Sequence, residues 1–134
     1  MFLLPTRVFV VDDEQDITAI VKRGLEHHGF KVTAFNSPIK ALAHYSPGAF
    51  DIILLDIRMP EMTGFELARS IWDTDRNVHI CFMTSFEIYE GEAAKVFPSM
   101  GNRCFLRKPI TIEQLARHIN TQLGLSSPDL TSHN

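Results

Sequence analysis

The segment 51–56 constrains the fold most, because it places four consecutive apolar residues between two aspartates, as Asp-Ile-Ile-Leu-Leu-Asp. A run this short and this apolar fits a strand buried on both faces better than it fits a helix. Strands of that kind belong to parallel sheets that carry helices on both sides. Residues 51–56 are therefore predicted to form the central strand of a parallel sheet.

Apolar runs and helical patterns alternate along the rest of the chain. Strands are predicted at residues 6–11, 31–35, 51–56, 78–83 and 103–106. Helices are predicted from residue 16 to the stop at Gly29, after the Ser37-Pro38 cap, from Phe65, as a short or irregular segment within 85–102, and after the capping box that begins at Thr111. In the second helix, Ile39 and Leu42 are expected to face inward. This alternation predicts an α/β fold, a doubly wound five-stranded parallel sheet in the order 2-1-3-4-5 with five helices.

The length and charge of the chain limit its domain organisation and its partners. With 134 residues of which 45% are hydrophobic, we expect one domain over residues 6–124, followed by a polar tail or the start of a linker at 125–134. The formal net charge of −3 argues against direct binding to nucleic acid. No apolar run approaches the roughly 20 residues of a membrane span.

The two cysteines, Cys81 and Cys104, each stand among apolar neighbours. This setting favours buried free thiols over a disulfide or a metal pair. Free thiols indicate a reducing compartment, so a cytoplasmic location is expected.

Polar residues mark the ends of four predicted strands. Asp12 and Asp13 close the first, Asp56 closes the third, Thr84 closes the fourth, and Lys108 follows the fifth. The carboxyl ends of parallel strands lie at one sheet edge, where ligands bind beside the switch point in strand order. Three converging carboxylates repel each other unless a cation neutralises them. Oxygen ligands without His or Cys suit Mg²⁺, with Mn²⁺ as a possible substitute.

Such a site is suited to bind a phosphoryl group. Asp56 would act as a carboxylate nucleophile, while Lys108 and the Thr84 hydroxyl bind phosphoryl oxygens. Each residue taken singly is more often an ordinary turn or cap residue, and Asp13 would equally cap the first helix. The joint placement of all five at one edge favours the functional interpretation.

Four motifs carry a family resemblance. They are Val-Val-Asp-Asp-Glu over 10–14, Leu-Leu-Asp-Ile-Arg-Met-Pro-Glu-Met-Thr-Gly over 54–64, Met-Thr-Ser over 83–85 and Lys-Pro over 108–109. In this order and spacing they resemble the receiver domain of two-component response regulators, the CheY-like family, over about residues 6–124. A single-domain regulator is expected.

The resemblance implies roles for these residues. Asp56 would be the phosphoacceptor, phosphorylated by a histidine kinase or a histidine phosphotransfer protein. Asp12, Asp13 and Asp56, with the backbone carbonyl of Arg58, would hold Mg²⁺. Lys108 and Thr84 would contact the phosphoryl group.

The resemblance also implies a switch. Thr84 would move toward the phosphoryl group and Phe105 would turn into the vacated space, changing the surface of the fourth helix, fifth strand and fifth helix. Arg58 and Phe86 would flank the path of the attacking water and set the phosphoryl lifetime. Phe86→Ala is expected to shorten that lifetime.

The function expected is a phosphorylation-dependent signalling switch that catalyses its own phosphorylation and dephosphorylation. It would act on an unknown output protein, or pass the phosphoryl group on, as a monomer or a phosphorylation-dependent homodimer. The alternative is a receiver-like interaction module that is never phosphorylated. Other α/β enzymes fit less well: the turn after the first strand lacks the glycines of a dinucleotide site, and Arg58 replaces the second aspartate of aspartate-nucleophile phosphatases.

Overall fold

Five parallel strands form one sheet in the computed structural model, which describes residues 4–85 and 104–125. The strands are β1 (Arg7–Val11), β2 (Lys31–Phe35), β3 (Ile52–Asp56), β4 (His79–Thr84) and β5 (Cys104–Arg107). They lie in the order β2-β1-β3-β4-β5, and every neighbouring pair is parallel. The predicted fold class and strand order are confirmed.

Four helices lie within the described residues: α1 (Gln15–His27), α2 (Pro38–His44), α3 (Gly64–Thr74) and α4 (Ile112–Gln122). The last of these, α4, corresponds to the fifth helix of the sequence prediction. The irregular helix predicted within 85–102 falls outside the described residues, apart from its first position. None of the four helices has the length and apolar character needed to cross a membrane.

The central strand is buried along its whole length, as its apolar run predicts. Ile52, Ile53, Leu54 and Leu55 are all fully buried. Their side chains alternate between two cores, one shared with α2 and α3 and the other with α1 and α4. Asp56, the last residue of β3, is thereby held at the carboxyl edge of the sheet.

Helix α3 begins against the backbone that follows β3. Thr63 caps it by accepting a hydrogen bond from the amide of Glu66, whose side chain accepts from the Thr63 amide in return. The amide of Gly64 donates to the carbonyl of Ile57 at 2.8 Å. A Cβ at position 64 would overlap the Asp56 carbonyl oxygen, so this approach requires glycine.

One inward-facing residue is wrongly predicted. Ile39 in α2 is 51% exposed, whereas Ala41 is fully buried and Leu42 and Tyr45 pack against the core. A helix of two turns carries too few apolar positions to define which face is buried. The caps at Ser37 and Thr111 are confirmed, because their side chains accept hydrogen bonds from the amides of Lys40 and Gln114.

The prediction of free thiols is also wrong, because Cys81 and Cys104 form a disulfide. Both cysteines are buried as expected, but they occupy directly paired positions of β4 and β5, with their Cα atoms 4.4 Å apart. Strand register, which the apolar context of each cysteine does not reveal, brings them together. The expectation of a reducing compartment loses the support that free thiols gave it.

Candidate functional site

The carboxyl edge of the sheet collects the five polar residues singled out from the sequence. Asp12 and Asp13 follow β1 directly, Asp56 ends β3, Thr84 ends β4, and Lys108 follows β5. Because β1 and β3 are neighbours and β4 lies beside β3, these residues surround one small region.

Asp12 is fully buried and has a partner for each carboxylate oxygen. Oδ1 accepts a hydrogen bond from the amide of Glu14 at 2.9 Å, and Oδ2 accepts one from Nζ of Lys108 at 2.6 Å. A buried carboxylate without such partners would be strongly destabilising. The ammonium group of Lys108 is therefore the positive charge paired with this buried carboxylate.

Lys108 bridges two of the three carboxylates. Its side chain is only 12% exposed, and Nζ lies 3.7 Å from Oδ1 of Asp56 in addition to its contact with Asp12. Burial opposes the charged form, but the hydrogen bond and charge of Asp12, with the charge of Asp56, outweigh burial and raise the pKa of Lys108. The Lys108 amide donates to the carbonyl of Thr84 at 2.7 Å, which fixes the lysine beside the end of β4.

Asp56 is a buried carboxylate with a raised pKa. Burial and then the negative charge of Asp12 raise the pKa of Asp56 to about 6, against the opposing effects of Lys108 and the Ile57 amide. That amide donates to Oδ1 at 2.9 Å, and the same oxygen lies 3.7 Å from Nζ of Lys108. Near neutral pH the group is mainly ionised, so a carboxylate oxygen is available as a nucleophile.

The three carboxylates are close enough to share one metal ion. One oxygen from each of Asp12, Asp13 and Asp56 lies within 4.8 Å of the other two, and this is the one such group of acidic, His or Cys side chains among residues 4–85 and 104–125. A donor set of hard oxygens fits Mg²⁺, and Mn²⁺ accepts the same set. The Arg58 side chain is exposed, and a metal-ligand role for the Arg58 carbonyl remains a prediction.

The residues assigned to the switch lie on adjacent strands. Thr84 is 4% exposed at the end of β4. Phe105 in β5 is half-buried and stacks on Phe82 of β4, with ring centroids 5.4 Å apart. Phe86, to which a role in phosphoryl lifetime is assigned, lies outside the described residues.

Asn36, which follows β2, is a site residue that the sequence reasoning misses. Its Nδ2 donates to the backbone carbonyl of Asp12 at 2.9 Å and to Oγ1 of Thr18 at 2.7 Å. Its position in the sequence does indicate it, since Asn36 follows a predicted strand and so lies at the same edge as the acidic residues. The motifs that predict the site lie at the ends of the other four strands.

Comparison with known proteins agrees with this geometry. The family model of the response regulator receiver domain matches residues 8–120. Response regulator MprA of Mycobacterium sp. (strain KMS) is 27% identical over 126 residues, which cover 94% of this chain and 54% of MprA. Response regulator SaeR of Staphylococcus aureus (strain USA300) is 30% identical over 118 residues, which cover 88% of this chain and 50% of SaeR. The chain thus spans about half the length of these curated relatives.

Solved structures show the same fold. The chemotaxis protein CheY4 of Vibrio cholerae superposes with a TM-score of 0.78 at 27% sequence identity, covering 89% of this chain and 99% of CheY4. A response regulator receiver domain protein of Clostridium thermocellum gives a TM-score of 0.77 at 25% identity, covering 89% and 94% of the two chains. With the family model matching most of its length, the chain belongs to the response regulator receiver domain family of two-component signalling.

Proposed function

We propose that this receiver domain is a phosphorylation-dependent switch in which Asp56 is the phosphoacceptor. The observation that carries the proposal is the buried group of three carboxylates with Lys108 as their counterion. Such a group does not favour folding by itself, because buried like charges repel each other. Its oxygen atoms do suit a divalent cation and, with that cation, a phosphoryl group. The phosphodonor is a histidine kinase or a histidine phosphotransfer protein, as the family implies.

Phosphorylation is a displacement at phosphorus. A carboxylate oxygen of Asp56 attacks the phosphorus of phosphohistidine, the new O–P bond forms, and the N–P bond breaks with its electron pair leaving on the imidazole nitrogen. Dephosphorylation reverses the outcome with water: a water oxygen attacks phosphorus, the acyl O–P bond breaks, and the Asp56 carboxylate and inorganic phosphate result. The domain thus catalyses both reactions on its own side chain, although its main role is signalling.

The neighbours of Asp56 supply charge and orientation. Lys108, already 3.7 Å from Oδ1 of Asp56, is placed to pair with a phosphoryl oxygen, and the Thr84 hydroxyl is assigned to a second. Asp12, Asp13 and Asp56, with the Arg58 carbonyl, would hold Mg²⁺ or Mn²⁺. When bound, such an ion neutralises carboxylate charge and orients a phosphoryl oxygen.

The output follows from the same contacts. Movement of Thr84 toward the phosphoryl group leaves space into which the half-buried Phe105 turns, biasing a two-state equilibrium. The surface that changes includes β5 and α4. An output protein, a second copy of the domain after phosphorylation, or a phosphotransfer protein would read that surface.

The proposed function also specifies the bounds of the domain and its cellular location. We assign residues 6–124 to the receiver domain, and residues 125–134 to a polar tail or linker. A cytoplasmic location is proposed because the family implies it. The composition of residues 1–134 gives a net charge of −3, so direct nucleic-acid binding by this chain is not proposed.

The test is intact mass after incubation with Mg²⁺ and a small acyl-phosphate donor. One added phosphoryl group is expected on the wild type and on the control Asp73→Asn, which alters an exposed carboxylate of α3. No adduct is expected on Asp56→Asn, or on any form when a chelator removes Mg²⁺. An adduct that persists on Asp56→Asn would assign the phosphoacceptor elsewhere.

The alternative function is a constitutive interaction module that is not phosphorylated. If no adduct forms, amide NMR with Mg²⁺ and beryllofluoride, a phosphoryl mimic, distinguishes the two functions. Shifts around Asp56 and β5 support the switch, because the mimic occupies the same pocket. An unchanged spectrum would favour the constitutive module.

A further inference from the structure

Asn36 connects the end of β1 to the first helix. It lies one residue beyond β2, and its Nδ2 donates both to the Asp12 carbonyl oxygen at 2.9 Å and to the Thr18 hydroxyl at 2.7 Å. Thr18 is 5% exposed in α1, and its own hydroxyl donates to the carbonyl of Gln15 at 3.0 Å. The Thr18 oxygen is therefore oriented as an acceptor for Asn36. The amide group is held at a point fixed by two elements.

The bond to the Asp12 carbonyl acts on Asp13. The Asp12 carbonyl and the Asp13 amide belong to one planar peptide unit, so holding the oxygen fixes the orientation of that plane. The plane in turn fixes the N–Cα bond of Asp13, the bond about which its side chain is oriented. Asn36 thus acts on the side chain of Asp13 without touching it.

Asp13 depends on its backbone more than the other two carboxylates do. Asp12 is held by Glu14 and Lys108, and Asp56 by the amide of Ile57. Within the described part of the chain, no hydrogen bond or ion pair holds the carboxylate of Asp13. Its place in the three-carboxylate group is consequently set by the peptide that Asn36 orients.

We propose that Asn36 is a positioning residue that orients Asp13 for the divalent cation, an inference that rests on the metal site of the proposed function. Groups that orient metal ligands contribute strongly to affinity, and their loss typically weakens metal binding by roughly 10- to 100-fold. Since Asn36 makes two bonds at an exposed turn, its contribution lies at the lower end of that range.

The first test is a Mg²⁺ titration followed by amide NMR. Asn36→Ala is expected to weaken Mg²⁺ binding by roughly 10-fold. The matched control is Asn77→Ala, the same change at an exposed residue that precedes β4 at the opposite edge of the sheet. The control should bind as the wild type does. Equal Mg²⁺ affinity of Asn36→Ala and the wild type would overturn the proposal.

A double-mutant cycle separates positioning from a structural role. If Asn36 acts through Asp13, Asn36→Ala should change Mg²⁺ affinity by less than about 2-fold in an Asp13→Asn background. A structural contribution, measured by urea unfolding without Mg²⁺, should instead be the same in both backgrounds. A loss of Mg²⁺ affinity that persists in full without Asp13 would contradict the inference.

The same titration distinguishes failure of the proposed function from failure of the inference about Asn36. A wild type that binds no Mg²⁺ or Mn²⁺ would overturn the proposed function, and the inference with it. A wild type that binds Mg²⁺ while Asn36→Ala binds it equally well would overturn the inference alone.

Discussion

Lys108 donates a hydrogen bond from Nζ to Oδ2 of Asp12 at 2.6 Å, although 96 positions separate the two residues in the chain. The contact spans the carboxyl edge of the sheet, from the residue that follows β1 to the segment that follows β5. It also gives a fully buried carboxylate a cationic partner. The same pair therefore serves both the stability and the proposed chemistry of the domain.

Lys108→Met should lower the stability of the metal-free protein. Removing one partner of a buried ion pair leaves the other charge uncompensated, which typically costs about 3 kcal/mol of the free energy of unfolding. Urea unfolding measures this loss. The control is Lys22→Met, because Lys22 pairs with Glu26 at the surface of α1 and its loss should cost less than about 1 kcal/mol. Similar losses in the two variants would contradict the prediction.

Asp56 should make the metal-free protein less stable as pH rises. Its pKa is raised from 3.8 to about 6 in the folded state, so the folded protein binds the proton more tightly than the unfolded chain. Stability from this group is then present at low pH and is lost as pH rises between those two values.

The measurement compares the wild type with Asp56→Asn, which cannot titrate at this position. The variant should be the more stable of the two near neutral pH, and its advantage should shrink as pH falls to about 4. Carboxyl-carbon NMR reports the pKa of Asp56 directly. A stability difference that does not vary with pH would refute the raised pKa.

Gly64→Ala should destabilise the domain and disturb Asp56. The added methyl group would overlap the backbone oxygen of Asp56, and backbone cannot turn away as a side chain does. Overpacking of this kind costs about 2 kcal/mol, and urea unfolding measures it.

The control is Gly24→Ala in α1. There the atoms nearest to the added methyl group all belong to the Ile112 side chain, at 2.6 to 2.8 Å, so a side chain rather than backbone must shift. Alanine also favours a helix interior over glycine by about 1 kcal/mol, which offsets part of that cost. Gly24→Ala should therefore cost less of the free energy of unfolding than Gly64→Ala does. Equal destabilisation by both substitutions would show that the contact with Asp56 is not special.

The disulfide between Cys81 and Cys104 should protect both thiols from alkylation. In urea without reductant neither cysteine should react, whereas both should react after reduction. Loss of the bond by reduction or by Cys81→Ala is expected to lower the free energy of unfolding by about 3 kcal/mol, since the bond closes a loop with a sequence separation of 23. Alkylation of unreduced, unfolded protein at both positions would restore the interpretation as free thiols.

The sequence predicts those features that local patterns determine. The apolar run ending at Asp56 identifies the central strand, and alternation with helices leads to a parallel sheet with its polar residues at one edge. The convergence of Asp12, Asp56 and Lys108 follows from strand order alone. These predictions succeed because strand direction and order leave side chains at the strand ends little freedom.

Features that depend on strand register or on a single hydrogen bond cannot be predicted from this sequence. The pairing of Cys81 with Cys104 requires the alignment of β4 with β5. The exposure of Ile39 depends on the rotation of a two-turn helix about its axis. The hydrogen bond from Asn36 to Asp12 joins residues 24 positions apart. In the sequence, Asn36 looks like any asparagine in a turn.

The pairing of Lys108 with the acidic group also determines the formal net charge of the pocket. With all four groups ionised, the three negative charges of Asp12, Asp13 and Asp56 and the single positive charge of Lys108 leave a formal charge of −2. A monovalent cation would leave the pocket anionic, whereas a divalent one makes it neutral. Because a phosphoryl donor is itself an anion, we expect the pocket to accept it without net repulsion only when a divalent ion is bound.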